Sequence, residues 1–203
     1  VVRWMMASSG SSCKSWDTLV QELLNVRISD DDSEQQRVTL DPAGARTVYH
    51  LLQFHDATVD SVLKQQQLHA LAKDALGSRC ILDGLIESGN AHRLVGALQG
   101  HWASLAMDRV GHHCVLNVWD RLTDKDRRLV LARELLQSKK RLMHSNMARN
   151  VLDVLHIATL EQGGEHEWFH ALKKERAKRD ILTELETPRA EEEEKLKKRR
   201  KKS

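Results

Sequence analysis

Leu71-Ala-Lys-Asp-Ala-Leu-Gly-Ser-Arg-Cys-Ile-Leu82 and Leu105-Ala-Met-Asp-Arg-Val-Gly-His-His-Cys-Val-Leu116 align without a gap, 34 residues apart. Six of the twelve positions are identical, and Ile81 facing Val115 is a conservative seventh match. Chance supplies about one identity in such a window, so the offset marks an internal repeat. The same pattern recurs 33 residues earlier in Asp41-Pro-Ala-Gly44-Ala-Arg46. It recurs 36 residues later, more loosely, in Met147-Ala-Arg149-Asn-Val151-Leu152. Four units of this length are the period of a helical repeat array, in which each unit buries its apolar face only against its neighbours.

Each unit reads as three helices. In the second unit the spacing predicts helices over 64–75 and 78–88, then a third carrying Leu94, Val95 and Leu98 on one face, with Asn90 as its cap. Gly77 lets the first two approach, because it has no side chain. The third unit repeats this over 102–109, 111–121 and 124–137, with Thr123 or Asp124 as cap. The fourth has 139–145, 147–159 and a long helix from about Glu165 to Glu186. Upstream, residues 1–28 read as a partial preceding repeat, with helices over Val1 to Ala7 and Ser15 to Asn25 around a Ser/Gly run. Residues 29–37 read as an acidic loop, residues 38–187 as the repeats and terminal helix, and 188–203 as a disordered basic tail.

Composition agrees with an all-α solenoid. The 203 residues include only two prolines and eight aromatics, while helix-forming Leu, Ala, Glu, Lys, Arg and Gln dominate. Cys13, Cys80 and Cys114 are too few and too scattered for a disulfide framework, and a reducing compartment is expected. No apolar run approaches the roughly 20 residues of a membrane span, so no membrane partner is expected. The chain starts with Val1, which suggests a fragment. The net charge of +3 is unevenly spread: residues 173–203 carry thirteen Lys or Arg against eight Asp or Glu, and the preceding 172 residues sum to −2. Lys195, Lys197, Lys198, Arg199, Arg200, Lys201 and Lys202 form the densest run, after Glu191 to Glu194. Such a run reads as a nuclear or nucleolar address, a nucleic-acid patch, or both.

An Asp three residues before a Gly, then a short residue, then Arg or His and two apolar residues opening a helix, resembles the Pumilio-type RNA-binding repeat. That resemblance covers residues 38–160. It implies three-helix units whose second helix faces RNA, with the two residues after the Gly meeting one base. Carried over by position, the pairs are Ala45 and Arg46, Ser78 and Arg79, His112 and His113, and Ala148 and Arg149. The second member of each pair would stack on a base and the first would lie along its edge. A third polar side chain, expected three residues after the stacking one, is replaced by Tyr49, Leu82, Leu116 and Leu152, which breaks a base-by-base code. Together with the acidic insertion and basic tail, the chain looks like the C-terminal part of the nucleolar-protein-nine type of Pumilio-like (PUF) protein. The resemblance implies binding of precursor rRNA in small-subunit maturation, a nucleolar or nuclear location, and pre-ribosomal proteins as further partners.

The residues also admit plainer readings. Arg46, Arg79 and Arg149 would pair with Asp41, Asp74 and Asp108 if the units carried an ion-pair ladder. The chain would then be a HEAT- or armadillo-like scaffold for proteins, with the tail serving only as an address; the body's net −2 favours this rival. Cys80 and Cys114 read as core, as do Trp102 and Trp119. His166-Glu-Trp-Phe-His170 matches the zinc motif H-E-x-x-H, but no third ligand or edge strand accompanies it, so it reads as an ordinary charged helix. No phosphate loop or nucleophile elbow occurs. No enzymatic activity, small-molecule substrate, metal or cofactor is expected.

Overall fold

The computed structural model describes residues 15–29 and 37–200. The expected helix at Val1 to Ala7, the Ser/Gly run, Cys13 and most of the acidic loop lie outside the described residues. The helices are α1 (Trp16–Leu24), α2 (Pro42–Leu52), α3 (Asp56–Leu63), α4 (Leu68–Lys73), α5 (Ala75–Gly77), α6 (Asp83–Glu87), α7 (Ala91–Ala97), α8 (Trp102–Met107), α9 (Gly111–Arg121), α10 (Lys125–Gln137), α11 (Lys139–Leu142), α12 (Asn146–Val154) and α13 (Ile157–Arg200). The chain divides into two compact units, one ending at Val154 and one beginning at Leu155.

The fold is an all-α solenoid. The second helices stand side by side: α2 packs on α6, α6 on α9, and α9 on α12. In the first three units, what joins first to second helix is a backbone-to-backbone approach that only glycine permits. A side chain at Gly77 would overlap the Leu71 carbonyl oxygen, and one at Gly111 would lie 2.8 Å from that of Leu105. Gly44 meets the Leu23 carbonyl in the same way. Leu23 belongs to α1, so α1 stands to α2 as α4 stands to α5 and α8 to α9. Residues 16–24 are therefore the first helix of the first unit, which corrects their assignment to a preceding repeat. The chain between Leu24 and Asp41 is an insertion within that unit. Its base is closed by the Asp41 N–H bond to the Leu24 carbonyl (3.1 Å) and by a small antiparallel pair, β1 (Arg27–Ser29) with β2 (Arg37–Thr39), in register Ile28 opposite Val38. The composition pointed to no strand.

The core is the continuous inter-helix seam of a repeat array. Leu24, Val48, Leu71, Leu85, Leu94, Leu105, Val118, Leu131 and Leu142 are buried, as are Trp102 and Trp119. Trp102 places its indole N–H on the Val95 carbonyl (3.2 Å). Asp124 caps α10 as expected, accepting from Asp126 and Arg127. Asn90 does not cap α7: its amide donates backwards to the Ser88 carbonyl and hydroxyl. The helix expected over 147–159 is interrupted at His156, which adopts a left-handed φ of 52°. Beyond it α13 breaks once, at Gly164 (φ 70°), and Trp168 donates its indole N–H to Leu155 (2.7 Å).

The helical backbone then continues to Arg200, past the expected end near Glu186 and into the segment from Pro188 read as disordered. Glu191, Glu193 and Glu194 stand four residues before Lys195, Lys197 and Lys198, an order that favours helix. Lys201 and Lys202 lie outside the described residues.

Candidate nucleic-acid interface

The start of each second helix is set by a cap. The Asp41 carboxylate accepts from the Gly44 N–H (2.6 Å). Asp74 accepts from Leu76 and Gly77 (2.9 and 2.7 Å), and Asp108 from Val110 and Gly111 (2.8 Å each). These carboxylates satisfy backbone donors that a helix start leaves orphaned. They are not rungs of an arginine ladder. In the fourth unit the cap is Ser145, whose hydroxyl accepts from the Ala148 N–H (3.4 Å). The carbonyl of each cap residue accepts from the residue four later: Ala45, Ser78, His112 and Arg149.

That common hydrogen bond fixes which residues are equivalent. Arg46, Arg79 and His113 each sit five residues past the cap, and all three are exposed. The residue before each is less accessible: Ala45 is fully buried, Ser78 is 8% exposed, and His112 is half-buried. Ala45 and Ser78 therefore serve the inter-helix seam, not a base edge. Counted from Ser145, Ala148 takes the place of the glycine and is fully buried. The exposed pair of the fourth unit is Arg149 and Asn150, not Ala148 and Arg149. The sequence offset of 36 places Arg149 opposite His113, whereas the caps are 37 apart. Arg149 bonds the side-chain oxygen of Asn146.

A second shift occurs inside the second unit. Between α5 and α6, residues Ser78–Leu82 form a π-helical turn, closed by the Asp83 N–H on the Ser78 carbonyl five residues back. A π turn inserts one residue into an otherwise regular helix. Here the extra residue rotates Leu82 into the core and brings half-buried Asp83 to the outer face. The fourth unit does the same through its displaced cap: Leu152 is buried and Asp153 exposed. The third place of the set that the resemblance assigns to one base thus holds Tyr49, Asp83, Leu116 and Asp153. The expected run of leucines is corrected in two units of four. The π turn also moves Cys80 out of the core to a half-exposed position, where the charges of Arg46 and Arg79 both act on its thiol. Cys114, by contrast, is fully buried and its pKa is pushed up to about 12 by that burial.

The face is cross-braced between units. Tyr49 donates to Glu87 (2.5 Å), Gln53 to the Gly84 carbonyl (3.3 Å), and Asn117 to Asp83 (3.0 Å). Burial raises the Asp83 carboxyl above the usual range, Glu87 adds to this, and Asn117, Arg79 and His113 oppose it. The face has two characters. The cap-proximal ends of the second helices present Arg46, Arg79, His112, His113, Arg149 and Asn150. Toward their other ends a cleft of about 240 Å³ is lined by Asp83, Ile86, Glu87, Asn117, Asp120 and Arg121. Cationic and ring groups at one end offer stacking and phosphate contact; acceptors at the other suit amino and imino donors.

His166, Glu167 and His170 of the zinc-like motif are exposed on α13, on either side of buried Trp168. Among the described residues no group of three or more His, Cys, Asp or Glu is placed to hold a metal. No described helix is long and apolar enough to cross a membrane.

No match is found among curated proteins. Among solved structures, the chain resembles APUM23-GGAUUUGACGG (TM-score 0.63, 19% identity), APUM23-GGAGUUGACGG (0.63, 18%) and APUM23-GGAAUUGACGG (0.62, 19%). Each match covers 83% of this chain and 34% of the other, so the chain spans about a third of the length of those proteins. The model of the NOP9-like PUF repeat domain matches residues 5–150. The repeats, their capped second helices and that match together place the chain in the NOP9-like PUF repeat family.

Proposed function

We propose that the chain binds single-stranded RNA along its second-helix face, one base to a unit. The observation that carries this is the shared place of Arg46, Arg79 and His113. All three are exposed five residues past a cap, with the nearby aspartates committed to backbone N–H groups. A guanidinium or imidazole plane there stacks on a base and draws in the phosphate beside it. In the fourth unit Arg149 and Asn150 take this role. Asp83 and Asp153 accept only, so they favour base edges that carry donors, such as the N1–H and N2–H₂ of guanine. Tyr49 spends its hydroxyl on Glu87, and Leu116 has nothing to offer. Recognition is therefore selective at two units and permissive at the other two. The similar structures pair APUM23 with oligonucleotides such as GGAUUUGACGG, which supports nucleic acid as the ligand class.

Within this reading the RNA is precursor rRNA, bound during small-subunit maturation in the nucleolus, with pre-ribosomal proteins alongside. Lys195 to Lys202 add salt-sensitive attraction, since cations that neutralise phosphates release counterions. The scaffold alternative loses its structural motive, because the ion-pair ladder it required is a set of helix caps.

The test is RNA binding at several salt concentrations by the full chain and by a chain ending at Thr187. Each is compared with its Arg46→Ala/Arg79→Ala/Arg149→Ala form. Stacking is worth about 1–3 kcal/mol per base, so the triple change is expected to lower affinity at least a hundredfold with the helical signal intact. Binding that disappears with the tail alone, and not with the arginines, would move the function to the tail and favour a protein scaffold.

A further inference from the structure

We propose that Phe54 is a stacking platform for one additional nucleobase, beyond the base held at Arg46; this rests on the RNA-binding reading above. Phe54 is 81% exposed, more than the other exposed large apolar side chains described. It lies in the turn two residues past the end of α2, four residues after His50, beside Gln53, which bridges to the next second helix. Arg46 and His50 are also exposed. The turn that carries Phe54 therefore borders the second-helix face, tied to it through Gln53 and Gly84.

The ring is exposed on a turn that is itself held firmly. The Phe54 and His55 N–H groups both donate to the Leu51 carbonyl (3.1 and 2.9 Å). On one side Gln53 reaches the Gly84 carbonyl of the next unit. On the other, the His55 ring packs on Trp16 of α1 at 5.4 Å between centroids. The flanking residues are anchored to two different elements, and the ring between them is presented to solvent. An anchored aromatic surrenders little freedom when a flat partner lands on it.

The equivalent places in the next two units, counted through the π turn, are Ser88 and Arg121, neither of them aromatic. The platform is thus particular to the first unit, and it offers stacking without edge recognition, so any base suits it.

The experiment measures affinity of the full chain for a length ladder of mixed-sequence single-stranded RNA at fixed salt. It compares wild type, Phe54→Ala, Phe54→Trp and Arg79→Ala. Phe54→Ala is expected to weaken binding about tenfold for the longer RNAs, to leave the shortest binding lengths unaffected, and to leave the salt slope unchanged, because stacking neutralises no phosphate. Phe54→Trp is expected to restore or tighten binding. If Phe54→Ala matches wild type at every length while Arg79→Ala is impaired, the platform is refuted and the wider reading stands. If wild type binds no RNA at any length, it is the wider reading that has failed.

Discussion

Asn117 of the third unit hydrogen-bonds the carboxylate of Asp83 in the second across 3.0 Å, tying the outer face of one unit to the adjoining unit. Asp83 carries a burial cost for this position: its pKa lies above the ordinary 3.8, burial being the largest cause. With the folded value raised, the folded state holds that proton more tightly than the unfolded chain. The resulting stability is full below the ordinary value and lost as pH rises through the raised one. At neutral pH the ionised carboxylate is a burden. Asp83→Asn is expected to stabilise the fold at pH 7 by less than about 1 kcal/mol, the group being partly solvated. The gain should fade below about pH 4, and selectivity at the second unit should be lost. Thermal denaturation across pH, paired with binding to RNAs varied at one position, checks both halves.

Cys80 lies on the face proposed for RNA, where burial raises its pKa while the charges of Arg46 and Arg79 both oppose that rise. Bound RNA is expected to protect it from a maleimide, and prior modification is expected to block RNA binding. The reaction should be slow even without RNA, because burial raises its pKa and the thiolate is the reactive form. Cys114 should stay unmodified until the fold opens, being fully buried. Peptide mapping after timed labelling distinguishes these thiols from Cys13.

The close approach of first and second helices predicts opposite outcomes at two glycines. At Gly111 a methyl group would meet the Leu105 carbonyl oxygen at 2.8 Å, and backbone cannot swing aside. Gly111→Ala is expected to cost about 1–3 kcal/mol. At Gly96 the nearest atom is the flexible end of Arg127, at 3.6 Å, and the residue lies inside α7. Gly96→Ala should be neutral or stabilise by up to about 1 kcal/mol. Chemical denaturation of the two variants compares them directly.

His69 of α4 stacks on His101 at 4.5 Å between centroids and 10° between planes. Burial holds its pKa below 6.5, helped by the charges of His101 and Lys73. A histidine lowered on folding takes up its proton more readily in the unfolded chain. Stability is therefore full above about 6.5 and declines as pH falls through that value toward the lowered one. The midpoint of thermal unfolding should drop between about pH 7 and pH 5, and His69→Gln should flatten that drop. A parallel slope in wild type and variant would assign the acid sensitivity elsewhere.

The sequence identified the repeat, its all-α character and the exposed place of Arg46, Arg79 and His113. Each of these depends on residues that recur at a fixed interval. It was misleading where equivalence is set by hydrogen bonding instead of by residue type. Leu82 aligns with Leu116 in sequence, yet the i−5 bond from Asp83 to Ser78 turns one inward and leaves the other half-buried. Arg149 aligns with His113 at the offset of 36, yet Ser145 starts the fourth helix one residue later than that alignment requires. Counting from Ser145, not from the arginine, identifies Asn150 and Asp153. The place of α1 was hidden for another reason. Leu71 and Gly77, or Leu105 and Gly111, are six residues apart, whereas Leu23 and Gly44 are separated by twenty-one because a hairpin intervenes.

The π turn at Ser78–Leu82 also limits how the array can be recombined. A chimaera joined within the loop before Ala75, or after Glu87, carries a complete second helix and keeps its outward side chains in phase with those of the next unit. A junction placed between Gly77 and Asp83, inside the stretch that aligns without a gap between the second and third units, would splice a helix containing the extra residue to one lacking it. Every side chain downstream would be turned by about 100°. A gapless alignment is therefore no guide to where the units can be joined, and the sound boundaries lie outside the helix that holds the π turn.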